Sequence, residues 1–139
     1  MLMTPFASFS ANIKAEIGPN VAENELEVKG NFTLAEGSSI NPLNEPVVIK
    51  IGGFEITIPA GSFKWFEHPK NPEKNDFRFE GTIEGVSVEM KIKPLGSGNY
   101  EFKFEAEELN LSWITDSVTA RLTIGDDFGE IEVTPEIEH

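Results

Sequence analysis

The sequence predicts an all-β fold, an antiparallel two-sheet β-sandwich of roughly eight to nine strands with an internal duplication; a partly closed β-barrel is the alternative. Three observations predict it. Apolar and polar residues alternate over most of the 139 residues, the period of a half-buried strand. Two pairs of alternating runs are joined by two-residue turns whose length agrees with side-chain parity. Segments of the first half recur in the second.

The first run puts Ala7, Phe9, Ala11, Ile13, Ala15 and Ile17 on one face and Ser8, Ser10, Asn12, Lys14 and Glu16 on the other, until Gly18-Pro19 stops it. Leu26, Val28, Gly30, Phe32 and Leu34 form the next apolar face, and residues 36–46 read as a polar loop. Val47, Ile49 and Ile51 lead through Gly52-Gly53 to Phe54, Ile56 and Ile58. A two-residue loop sets Ile51 opposite Phe54, so the two share a face. By the same rule Ile83 and Val86 flank Glu84-Gly85, between the runs Phe77–Ile83 and Val86–Ile92.

Pro94 is expected to end that strand. Tyr100, Phe102, Phe104 and Ala106 then alternate with Glu101, Lys103, Glu105 and Glu107, and Leu109 to Trp113 read as a short strand or bent extension. Val118, Ala120, Leu122 and Ile124 form a strand, Gly125 to Gly129 a turn, and Ile131 and Val133 the closing strand. The tail 134–139 is expected to fray. No helical stripe is present.

Glu25–Gly30 resembles Glu101–Ala106, Val47–Gly52 resembles Ala120–Gly125, and Glu55–Ile58 resembles Glu130–Val133. The chain therefore reads as one domain, 1–139, with pseudo-repeats at about 6–60 and 77–133 and an insertion loop at 65–76. One such sheet cannot bury its apolar face alone, and two packed together can.

With 24 acidic against 11 basic residues the net charge is −13, which repels phosphate backbones and anionic bilayers. Neither nucleic acid nor membrane insertion is expected. Cysteine is missing from the sequence, which excludes disulfides, thiolate metal sites and a cysteine nucleophile. Met1 to Pro5 is too short for a signal peptide.

Three phrases carry a resemblance: Thr57-Ile58-Pro59-Ala60-Gly61-Ser62-Phe63-Lys64, Phe77-Arg78-Phe79-Glu80-Gly81-Thr82-Ile83-Glu84-Gly85-Val86 and Leu122-Thr123-Ile124-Gly125-Asp126-Asp127-Phe128-Gly129. Together they resemble an uncharacterised β-sandwich module of predicted secreted or surface proteins of environmental bacteria, over most of residues 6 to 133. The resemblance implies a β fold and an extracellular or cell-surface setting, with the signal peptide absent from this sequence. It transfers no catalytic residue. The stretch between Lys64 and Phe77 is longer here than in that module.

Two places invite a ligand. Asp126, Asp127 and Glu130 cluster about a glycine-rich turn, and carboxylates so placed can hold Ca²⁺, which takes six to eight oxygens. The competing reading is a plain hairpin turn, as at Gly52-Gly53. Trp65 and Phe66, in the insertion, and Trp113 are candidate platforms for a sugar ring or a protein. Their alternative role is to cover a sheet edge or close the core. Catalysis has little to work with: the histidines are His68 and the terminal His139, and no serine sits in a nucleophile elbow. Most carboxylates fall on the outward parity of predicted strands, as a solvated face would have them. The expectation is a non-enzymatic structural or protein-binding module, monomeric or weakly oligomeric, without a cofactor. The alternatives are a module binding polysaccharide through exposed aromatics and, last, a carboxylate hydrolase.

Overall fold

Alternation in the sequence becomes two stacked sheets in the computed structural model, which describes residues 3–139. The strands of the first half are β1 (Thr4–Pro5), β2 (Ser8–Glu16), β3 (Glu25–Thr33), β4 (Val47–Ile51), β5 (Phe54–Ile58) and β6 (Lys64–Phe66). Those of the second are β7 (Asp76–Ile83), β8 (Val86–Gly96), β9 (Asn99–Glu107), β10 (Val118–Ile124), β11 (Asp127–Val133) and β12 (Glu136–Glu138). One sheet has the order β1-β11-β10-β4-β5 and the other β12-β2-β3-β9-β8-β7-β6. The sheets do not close into a barrel, so the sandwich is the fold. Among the described residues nine strands have five residues or more, and three short ones lie at sheet edges.

The centres of both sheets keep their order when the halves are exchanged. One reads β2-β3-β9-β8 and the other β5-β4-β10-β11, with antiparallel pairing throughout. Ile51–Phe54 closes the first of the two matching hairpins and Ile124–Asp127 the second, 73 positions on. The match of Glu55–Ile58 to Glu130–Val133 is therefore two residues out of register: Ile56 corresponds to Gly129 and Ile58 to Ile131. A shift of two preserves side-chain face, so alternation alone cannot detect it.

The structure corrects four other expectations. The turn at Gly125 is only Gly125-Asp126, because Asp127 already pairs with Ile124. Strand β8 runs through Pro94 to Gly96, with a register shift where the proline has no N–H to give. Residues 108–117 form a connector, not a strand, and bury Leu109 and Leu111 under the sandwich end. The tail does not fray: β12 pairs in parallel with β2, and the amide of Ile17 donates to the carbonyl of Glu138 at 2.7 Å.

The core is the inner parity of both sheets. Leu26, Val28, Ile49, Ile51, Met90, Ile92, Phe104, Leu122 and Ile124 are fully buried, each such side chain stabilising by about 2 kcal/mol. At one end Phe6 stacks on Phe32 at 4.4 Å and Phe32 on Tyr100 at 5.1 Å. Gly30 makes room there: a Cβ at this position would lie 2.7 Å from the Phe102 ring opposite it.

Candidate functional site

Side chains on the outer face of the seven-stranded sheet are sorted by charge. Lys64, Arg78, Lys91, Lys103 and Lys29 stand opposite one another on β6, β7, β8, β9 and β3. They are five of the 11 basic residues in the chain. At about 4.8 Å per strand the row is about 19 Å long. Two residues along the strands, Glu80, Glu89, Glu105 and Glu27 form a parallel acidic row over β7, β8, β9 and β3, which ends at Lys14 on β2. Beyond it Glu107, Glu25 and Glu16 form a second.

Like charges directly opposite repel across a sheet. Ion pairs along β3, β8 and β9 offset this: Lys29–Glu27 at 3.3 Å, Lys91–Glu89 at 3.5 Å and Lys103–Glu105 at 2.7 Å. The hydrogen bond that the Lys103 ammonium donates to Glu105 is the main reason its pKa is held above the usual value. Among the described residues Glu25 has no such partner. Partial burial, then Glu16 and Glu107 on either side, push its carboxyl above the usual range.

The row ends in a cleft of about 340 Å³ at the β6 edge, where Lys64, Arg78 and Lys91 meet Phe66 and Ser62. The Arg78 guanidinium lies 4.9 Å over the Phe66 ring. Its Nε donates to Oδ1 of the buried Asp76 at 2.7 Å, and its Nη2 to Nε2 of His68 at 3.2 Å. Trp65 and Phe66 thus lie in a strand rather than a free loop. Successive strand residues face opposite ways, so Trp65 packs on Phe77 at 4.7 Å while Phe66 meets Arg78. The expected insertion 65–76 is a strand, a short 3₁₀ turn at Pro72–Lys74 and the start of β7.

Trp113, in the connector 108–117, packs against the other sheet. It sits on the β4–β5 hairpin and stacks on Phe54 at 6.1 Å and 6°. Its Nε1 donates to the Asn110 carbonyl at 2.7 Å. The ring walls a trough of about 670 Å³ on the outer face of the five-stranded sheet. Glu55, Lys50, Arg121 and Glu130, one register row over four strands, make its floor. Arg121 pairs with Glu130 at 3.6 Å and lies 4.3 Å over the Phe128 ring. The three aromatics singled out from the sequence therefore lie at separate places and do not form one platform.

The proposed calcium ligands are not brought together either. Glu130 is occupied with Arg121 on the outer face, while Asp127 is buried. The carboxylate that joins the turn is Glu45, whose side chain lies against Gly125 and accepts from the Asn41 amide at 2.5 Å. Burial first, then Glu45 and Asp126, raise the Asp127 pKa, and a hydrogen bond from Ser38 works against the rise. Among the described residues no three acidic or histidine side chains converge on one metal position.

Sequence reasoning missed Glu45, because it lies 80 residues before Gly125. It also missed the charge rows, although one was within reach: the Glu84-Gly85 turn fixes the pairs Arg78–Lys91 and Glu80–Glu89. Compared with known proteins, the chain matches no family model, no curated protein and no solved structure.

Proposed function

We propose that this chain is a non-catalytic module that binds a protein partner across the outer face of its seven-stranded sheet, in the extracellular or surface setting implied by the resemblance noted above. The observation that carries this reading is the sorting of charge into rows. A cationic row beside two acidic rows is a pattern that a partner bearing the inverse order can recognise, and that order fixes both register and orientation. The ion pairs along β3, β8 and β9 hold the facing parts of the cationic and first acidic rows extended before a partner arrives. Exposed pairs of this kind add little to stability, which is consistent with their serving recognition instead.

Site-specific photo-crosslinking in the native host tests this. A crosslinker at Lys91 should yield one discrete adduct, and the same group at Thr123, on the outer face of the other sheet, should not. The adduct should weaken as ionic strength rises from about 0.05 M to 0.5 M, because surface charges are screened over a few ångströms at the higher value. Equal adducts from both positions, or none from Lys91, would sink the reading.

A further inference from the structure

The trough beside Trp113 lies on the opposite sheet from the charge rows and is independent of them. We infer that it is a binding site for a neutral saccharide, with the Trp113 indole as its stacking wall. Four features of the structure lead there.

The first is the fixed indole. Stacking on Phe54 takes part of its surface, and the hydrogen bond from Nε1 to Asn110 sets its orientation. The ring nonetheless stays partly exposed along the trough. A rigid aromatic surface of this kind suits the C–H face of a pyranose and costs little ordering on binding.

The second is the floor. Glu55, Lys50, Arg121 and Glu130 bring two carboxylates, an ammonium and a guanidinium into one row, with no net charge. Such a row offers donors and acceptors side by side, as vicinal hydroxyls require. An ionic ligand of either sign would meet two like charges. Thr115, Ser117 and Thr119 add hydroxyls at the rim.

The third is size. About 670 Å³ falls in the range of small-ligand sites, and an open trough admits a chain as well as a single ring.

The fourth is the comparison between halves. Trp113 rests on Gly52, where a Cβ would come within 3.0 Å of the ring. At the matching Gly125 the side chain of Glu45 fills the same role. The architecture thus seats a flexible acidic side chain over one turn and an indole over the other. Closing the hairpin does not require an aromatic, which leaves the indole free for another purpose.

The test uses the full chain carrying Trp65→Phe, so that Trp113 is the sole indole. Linear hexamers of β-1,4-linked glucose, mannose, xylose and N-acetylglucosamine are titrated in turn, with a hexauronate and a lysine-rich peptide as charged contrasts. The readouts are indole fluorescence and the amide signals of Thr119 and Arg121. At least one neutral hexamer should bind saturably and with little dependence on salt. Its affinity should fall about tenfold or more in Trp113→Ala and in Arg121→Gln. If Trp113→Ala does not fold, Arg121→Gln together with the Thr119 signal decides. Binding by none of the neutral hexamers, binding only by a charged contrast, or binding unchanged by these substitutions overturns the assignment.

Discussion

The amide of Gly52 donates to the carbonyl of Thr119 at 3.0 Å, joining the tip of one hairpin to the first strand of the other. Gly125, 73 positions after Gly52, donates in turn to Pro46 at 3.0 Å, and Pro46 lies 73 positions before Thr119. Gly52 has φ near +57° and Gly125 near +58°. Both turns therefore sit in the left-handed region, where a side chain costs about 1–2 kcal/mol. Gly52→Ala should cost more than that, because its Cβ also meets Trp113. Thermal unfolding should show the loss, and the Trp113 emission should shift to the red. An unchanged spectrum would mean that the indole does not rest on this turn.

Glu84 occupies a left-handed position at φ 51°, followed by Gly85 at φ 82°. Two positive values define a type I′ turn, for which Asn-Gly is the favoured pair. Glu84→Asn should raise stability by about 0.5–1 kcal/mol. Gly85→Val should lower it clearly, since β-branched residues resist positive φ. Denaturant midpoints of the two variants should move in opposite directions.

The second acidic row and the turn at Gly125 carry a pH signature. Glu25 and Asp127 both have carboxyl pKa values raised in the folded state. The folded chain therefore binds these protons more tightly than the unfolded chain, and ionising them opposes folding. Stability should rise as pH falls from 7 through the raised values, until the ordinary carboxylate range near pH 4 is reached. Glu25→Gln and Asp127→Asn should each raise the Tm at pH 7 and remove part of that rise. A Tm that drops steadily from pH 7 to about 5 would contradict the assignment.

Calcium should have no specific effect. Glu130 is tied to Arg121, Asp127 is buried, and among the described residues no three acidic or histidine side chains converge on one metal position. Millimolar Ca²⁺ and Mg²⁺ should shift the Tm equally, by general screening of the −13 charge. A saturable shift with calcium alone, lost in Asp126→Asn with Asp127→Asn, would reinstate the metal site.

The long strands were legible because alternation and loop length constrain each other at Gly52-Gly53 and at Glu84-Gly85. The short edge strands were not. Three residues such as Lys64–Phe66 or Glu136–Glu138 show no period, and their pairing is decided by the sheet edge they meet. Trp113 was visible as a residue, but its trough was not. The floor beneath it joins Glu55 and Lys50 to Arg121 and Glu130, and only the β4–β10 pairing brings those together.

The reciprocal bonds from Gly52 and Gly125 mean that neither half completes its own hairpin. β3 likewise finds a neighbour in β9, and β4 in β10, each from the opposite half. A protease cut after the exposed Lys70 or Lys74 would therefore sever the backbone without separating the pieces. Two fragments so produced should cling together through both sheets and, once unfolded apart, recover the sandwich only when mixed, as a split protein does.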